Sequence, residues 1–200
     1  MIEKIKERQI VGIICTFLVS SCLVLVSTAH ADSFKRTASG WINPVVADIN
    51  GELSRISVIT THGTGKFGQS ISNSMTELGI FAGEFCSFAP PEVVVIRLPL
   101  VARTNVTRFA NGDLLFATLD LDPFLNSSLC IDIRNRTTVS EVHMVITGGT
   151  GKFAGAAGTL SITTNGTQLL FKDDVILQSG LTEITEGEVF LNYYDDEEDD

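Results

Sequence analysis

Hydrophobic and polar side chains alternate along much of the chain. In the segment Val142–Thr147, the residues Val142, Met144 and Ile146 share one face, and similar short runs recur on both sides of it. A period of two residues is typical of a β-strand with one buried face. No window of useful length repeats every 3.6 residues, the period of an amphipathic helix. The pattern therefore predicts an all-β protein.

The strand candidates number about nine or ten, at spacings typical of a sandwich or a barrel. Val93–Val101 is the richest in β-branched residues, and the dipeptide Asn111-Gly112 between two apolar runs is a strong hairpin signal. Gln69–Ile80 fits either a strand or a long loop. Because closing a sheet removes its unpaired edges, we predict a single domain formed by a closed antiparallel barrel of about eight strands. A sandwich is the alternative.

A glycine-rich element occurs twice. Val58–Phe67 repeats Val145–Phe153 with one residue inserted, and each copy ends in Gly-Thr-Gly-Lys-Phe. Glycine permits positive φ and a close approach of two backbones, which a sharp corner between strands requires. We predict that these glycines are structural and that Phe67 and Phe153 fold back as apolar plugs. The four corner glycines are Gly63, Gly65, Gly149 and Gly151.

The beginning of the chain is typical of an export signal. An apolar run from Ile10 to Ser27 follows a weakly basic start, and Ala29-His30-Ala31 offers small residues for cleavage. We predict a signal peptide over residues 1–31, a barrel domain over 32–190 and an acidic tail over 191–200. Two alternatives stay open. The run approaches the length that spans a bilayer, so the leader can be a retained anchor, and Cys22 resembles the cysteine of a lipoprotein box.

The charge balance narrows the classes of partner. The chain has 24 acidic and 14 basic residues and a formal net charge of −10. This sign argues against binding to nucleic acids and to anionic membrane surfaces. We predict a secreted or periplasmic protein that has no stable membrane insertion after cleavage, and an oligomer is possible.

Two cysteines, Cys86 and Cys130, remain after cleavage of the leader. In an oxidising compartment they can form one disulfide, and the alternative is two free thiols. The chain has no Cys-x-x-Cys motif and no Cys/His cluster, so we predict neither a metal site nor thiol-redox chemistry.

Two segments resemble a known family. Phe109–Ala117, followed by Val145–Gly158, is similar to the secreted members of the superfamily that includes allene oxide cyclases and dirigent proteins. The similarity covers most of residues 50–165. It implies a closed antiparallel barrel of eight strands with a central apolar cavity, in which relatives bind or reshape small apolar molecules without a cofactor. No catalytic residue of that superfamily matches a position here.

Arg97 is the charge that interrupts the apolar run Val93–Val101. If its face lines the barrel, it needs a buried partner, because an unpaired interior charge is costly. We predict a ligand-binding role for Arg97 with Glu84, while Asp120 and Asp132 are further candidate partners. The alternative is an outward Arg97, with Leu98 and Leu100 inside.

The functional prediction is a cofactor-free barrel that binds a small apolar molecule. Gly149–Ala154 formally fits the dinucleotide-binding pattern, but a β-branched strand follows it where that chemistry needs a helix. No serine elbow accompanies His62 or His143, so the sequence does not support the catalytic triad of a hydrolase. A cofactor-free isomerase or cyclase is the alternative, and a structural barrel with a filled interior is a third class.

Overall fold

The computed structural model describes residues 30–49, 52–79, 86, 95–132, 134–167, 169–172 and 175–191. Most of the predicted leader, the predicted acidic tail after residue 191, and Glu84 lie outside these ranges. Among the residues described, there is no helix both long and apolar enough to cross a membrane.

Ten strands of the described residues form one antiparallel sheet. A single 3₁₀ turn, Gly151–Phe153, is the helical element of the described residues. The strands are β1 (His30–Ile49), β2 (Glu52–Gly65), β3 (Gly68–Leu78), β4 (Val95–Phe109), β5 (Leu114–Leu119), β6 (Ser128–Asp132), β7 (Thr137–Gly149), β8 (Ala157–Gly166), β9 (Leu169–Lys172) and β10 (Val175–Leu191).

The sheet closes into a barrel. The strands follow the order β1-β2-β3-β4-β5-β7-β8-β10, and β10 pairs back onto β1. Both β5 and β6 lie between β4 and β7, so together they occupy one of eight positions in the barrel. The short strand β9 pairs with β10 as an addition. The prediction of an all-β, closed antiparallel barrel of about eight strands is confirmed.

Several strands are longer than their sequence signals. Gln69–Ile80 falls mainly in β3, which settles a choice that the pattern left open. The sequence runs 175–178 and 185–191 both belong to the single strand β10, which passes through Gly180 at φ 117°. The predicted hairpin is present at Asn111-Gly112, where Gly112 has φ 93° and the Phe109 amide donates to the Asp113 carbonyl oxygen at 2.9 Å.

A bulge in β4 reverses the faces of that strand. Glu77 pairs with Ala102, whereas Leu78 pairs with Leu100, so Val101 is an extra residue. A one-residue bulge moves every later side chain to the other face. Leu98 is therefore inside before the bulge, and Arg103 is inside after it.

The main apolar cluster fills one end and one wall of the barrel. Its aromatic rings are closely packed. The Phe153 ring stacks on that of Phe109 with 4.7 Å between the ring centroids, and the Phe67 ring meets it edge-on with 5.2 Å between centroids. Phe153 is fully buried and Phe67 is partly buried against the cluster. The buried members are Phe34, Phe109, Leu115, Ala117, Leu119, Val142, Met144, Ile146, Phe153, Ala156, Leu160, Ile162, Val189 and Leu191.

The corner glycines have two different local roles. Gly151 adopts φ 57°, the left-handed region that disfavours other residues, and starts the turn that carries Phe153 inward. Gly149 has no positive φ, but a Cβ there would overlap the Leu114 carbonyl oxygen. Gly63 and Gly65 likewise lack positive φ, and a Cβ on either would overlap the β1 backbone. In the first copy, close approach of strands is thus the constraint.

Candidate binding site in the barrel interior

The wall of the barrel formed by β3 and β4 is polar on its inner side. The hydroxyl residues of β3 point inward at every second position, and three polar residues of β4 follow the same alternation. Their outward neighbours Ile71 and Met75 are 41% and 55% exposed, so the usual pattern is inverted here. The buried polar residues of this wall are Ser70, Ser72, Ser74, Thr76, Arg103, Asn105 and Thr107.

Short hydrogen bonds join the middle of this wall. Ser72 donates to the Asn105 side-chain oxygen at 2.6 Å and lies 3.0 Å from the Thr107 hydroxyl. Ser74 donates to the same Asn105 oxygen at 3.1 Å. Buried polar groups need such partners because the interior supplies no water to replace them. The resemblance implied an apolar cavity, and this wall departs from that expectation.

A buried ion pair joins the neighbouring strands β1 and β10 on the inner side of the barrel. Arg36 on β1 donates through Nη1 to Glu183 Oε1 on β10 at 2.6 Å, and both side chains are 3% exposed. The remaining donors of Arg36 are satisfied: Nε reaches the Ser70 hydroxyl at 2.8 Å, and Nη2 reaches the Thr61 carbonyl oxygen at 3.2 Å. Arg36 is therefore fully held by the fold.

Arg103 is the second guanidinium of the interior, and it is held less well. Its Nη2 lies 3.8 Å from Glu183 Oε2 and donates to the Ser74 hydroxyl at 3.2 Å. Its Nε has no hydrogen-bond partner among the described residues, although the side chain is 2% exposed. The hydroxyl of Thr76, which pairs directly with Arg103 across the β3–β4 ladder, also lacks a partner there.

Burial changes the acidity of both arginines in the same direction. Desolvation lowers the pKa of Arg36 and of Arg103, while the negative charge of Glu183 acts in the opposite sense. An arginine remains a cation in proteins because its ordinary pKa lies above about 12. The charged residues buried in the described part of the chain are thus two cations and one anion.

These groups are suited to binding and to polarising an oxygen atom. Guanidinium and hydroxyl groups donate hydrogen bonds. The inner sides of β5, of β7 from Val142 to Ile146 and of β8 from Leu160 to Ile162 are apolar, and the inner sides of β7 and β8 continue with the buried polar residues Thr138, Ser140 and Thr164. Within the described ranges, no group of three or more His, Cys, Asp or Glu side chains is placed to hold a metal ion.

Arg97, the described member of the ligand-binding pair that the sequence predicted, does not lie among these interior residues. Arg97 is half-buried and pairs with Cys130, on the face of β4 opposite to buried Leu98. Cys86 and Cys130 form a disulfide, with their Cα atoms 6.2 Å apart. Glu84, the proposed companion of Arg97, lies outside the described residues. A ligand contact at Arg97 stays a prediction.

Both candidate histidines of the barrel lie on its outer side. The His62 ring is 5.7 Å from Trp41, and His143 lies 3.6 Å from the Glu141 carboxylate. His62 also borders an open groove of about 740 Å³ that crosses the outer face of β1–β4 and ends near Arg108. This groove is separate from the interior, since most of its lining side chains are exposed.

Sequence reasoning missed Arg36, Arg103 and Glu183. A usable signal existed for one of them, because Arg103 shares the alternation of Asn105 and Thr107 with Phe109, an apolar residue of the inner face. The pairing of Arg36 with Glu183 had no such signal, since 147 positions separate them.

Comparison with known proteins assigns the chain to no family. No protein-family model matches the chain, and no curated protein sequence matches it. Among solved structures, the chain is similar to a pterocarpan synthase dirigent protein, at 13% identity and a TM-score of 0.28, over 82% of this chain and 87% of that one. The closed barrel itself agrees with the fold that the sequence resemblance implied. A similarity with a TM-score this low carries no argument.

Proposed function

We propose that this protein binds a small amphipathic molecule inside its barrel, without a cofactor. The observation that carries the proposal is the contrast between the two inner walls. Serine and threonine hydroxyls line β3, whereas buried apolar side chains line β5 and the adjoining parts of β7, Val142–Ile146, and of β8, Leu160–Ile162. An amphipathic molecule matches both walls at once, which refines the apolar ligand that the sequence predicted.

The size of the inward side chains supports a bound molecule over a purely structural barrel. The interior of an eight-stranded barrel is just wide enough to be filled by side chains or to hold one small ligand. Four consecutive inward positions of β3 carry small polar side chains, where large apolar ones would fill the space better. We also propose export, which the leader composition and the disulfide support.

A cofactor-free isomerase or cyclase is the second candidate function. The favouring observation is the guanidinium of Arg103, which has a free Nε–H next to an apolar wall. Such a donor stabilises negative charge that develops on a substrate oxygen. Both candidate functions place the small molecule in the barrel interior. They differ in whether the protein converts that molecule or only binds it.

The test combines native mass spectrometry of the purified protein with titration of the neutral fluorescent probe N-phenylnaphthylamine. Two variants locate the site. Ser72→Leu extends a side chain into the interior, and Asn73→Leu places the same side chain on the outer face as the matched control. Circular dichroism checks that each variant folds.

We expect a co-purifying molecule or probe binding in the wild type, with loss in Ser72→Leu and retention in Asn73→Leu. A wild-type protein that neither carries nor binds a small molecule would support the filled, structural barrel. Equal binding by both variants would place the site outside the interior, for example in the outer groove.

A further inference from the structure

The interior holds more positive charge than its own carboxylate balances. The buried charged residues of the described chain are Arg36, Arg103 and Glu183. Oε1 of Glu183 accepts from Arg36 at 2.6 Å and also from Thr185 at 3.3 Å. This carboxylate is hydrogen-bonded to Arg36, and Arg103 shares it at a longer distance, 3.8 Å from Nη2 to Oε2.

A buried guanidinium that only shares a distant carboxylate with a second cation is costly for the fold. Burying a charge without a bonded partner of opposite sign is strongly unfavourable, and buried donors without an acceptor are rare. Arg103 comes close to both conditions, since its Nε has no partner among the described residues and its Nη2 donates to the neutral Ser74 hydroxyl, with the shared Glu183 carboxylate 3.8 Å away. A bound anion removes the cost, because it supplies the missing acceptor and the missing charge.

A second unpartnered group lies beside the first. Thr76 and Arg103 are direct cross-strand partners, and both side chains point inward. Facing residues in such a pair have Cβ atoms about 5 Å apart, which brings both side chains within reach of one small group. The Thr76 O–H and the Arg103 Nε–H are therefore two adjacent donors on the inner side of the wall, and neither has a partner among the described residues.

We propose that Arg103 and Thr76 bind the carboxylate of a small amphipathic acid inside the barrel. This inference rests on the proposed interior binding function and names the class of ligand. A carboxylate fits because one excess positive charge is balanced by a monoanion, and the planar guanidinium matches carboxylate geometry.

The residues next to Arg103 indicate the chemical character of the rest of the ligand. The β4–β5 register pairs Thr104 with Thr118, which places Leu119 alongside Arg103. Leu119 is buried, and it pairs in turn with Met144 on β7. An acid bound at Arg103 thus has its apolar part against these side chains.

The net charge of the protein does not help to attract an acidic ligand. With a formal net charge of −10, the chain repels anions at long range. Affinity for an acid must therefore come from the two donors and the interior charge, so removing them must remove the preference for the acid.

The experiment compares two nearly isosteric probes, naphthaleneacetate and naphthaleneacetamide, as competitors of N-phenylnaphthylamine. Arg103→Met removes the cation, and Thr76→Val removes the hydroxyl at nearly constant volume. The matched control is Arg108→Met, because Arg108 lies on the same strand and faces the outer groove.

We expect the wild type and Arg108→Met to prefer the acetate over the amide by about 10- to 100-fold, the range of a hydrogen bond to a charged group. Arg103→Met loses this preference while its affinity for the amide stays within about twofold, and Thr76→Val loses part of it. In the wild type, naphthaleneacetate raises the melting temperature more than naphthaleneacetamide does, and in Arg103→Met the two probes raise it equally.

The possible failures are distinguishable. If neither probe nor N-phenylnaphthylamine binds the wild type, the proposed function itself fails. If the acetate and the amide bind equally, interior binding stands and the carboxylate site is overturned. An acid preference that survives in Arg103→Met and disappears in Arg108→Met would place the anion in the outer groove and also overturn the inference. Thr76→Val supplies the answer if Arg103→Met does not fold.

Discussion

Glu183 is the residue whose replacement tests the buried charge cluster most directly. Its carboxylate accepts a 2.6 Å hydrogen bond from Arg36 and lies 3.8 Å from Arg103. The substitution Glu183→Gln keeps the size and shape of the side chain and removes the single negative charge. Two buried guanidinium groups are then left without a counter-charge.

The expected magnitude follows from burial. Removing one partner of a buried ion pair costs about 3–5 kcal/mol, because the remaining charge stays desolvated. The same substitution at Glu186, on the outer face of β10, breaks a surface ion pair with Lys35. The Lys35 side chain is 70% exposed and that of Glu186 is 55% exposed. Exposed pairs contribute roughly 0–1 kcal/mol. The difference between the two variants isolates the effect of burial.

The assay is thermal and urea unfolding of the wild type, Glu183→Gln and Glu186→Gln, followed by circular dichroism. For a domain of this size, 1 kcal/mol shifts the melting temperature by about 2–4 °C, so Glu183→Gln should lower it by about 6–20 °C. In an Arg103→Met background the same substitution should cost less, because one cation has already been removed. Equal small losses for Glu183→Gln and Glu186→Gln would refute the reasoning, since water would then be solvating the cluster.

The second glycine corner and the disulfide give two further predictions, both measured by unfolding. Phe153→Ala should cost about 3–5 kcal/mol because it empties a fully buried site, and Gly151→Ala about 1–2 kcal/mol because of its positive φ. Lys152→Ala should cost under about 1 kcal/mol, since its cation–π contacts, including one at 4.5 Å, are on the surface; a larger loss for Lys152→Ala than for Phe153→Ala would contradict this order. Reducing the Cys86–Cys130 disulfide, which spans 44 positions, should cost about 4 kcal/mol in the chain-entropy model, and an unchanged urea midpoint after reduction would contradict it.

The sequence alone predicted the fold class because the evidence for it is local. Alternation with a period of two residues is visible in β7, and the turn preference of Asn111-Gly112 acts within a few residues. The repeated corners likewise carry their own signal in Gly-Thr-Gly-Lys-Phe. Closing the sheet then follows from the need to pair its edges.

The identity of the interior residues was decided by the tertiary structure. Arg97 and Arg103 have the same parity in the sequence, so strict alternation places them on one face of β4. The extra residue Val101 reverses the faces between them, and Arg103 alone of the two points into the barrel. A bulge depends on the partner strand, which local sequence does not show.

The ion pair between Arg36 and Glu183 was likewise decided by the tertiary structure, over a longer separation in sequence. Arg36 and Glu183 meet because β10 closes the barrel against β1, across 147 positions of sequence. Alternation determined that each strand has an inner and an outer face. Only the closed barrel decided which polar residues share the interior, because that depends on strand register and on which strands become neighbours.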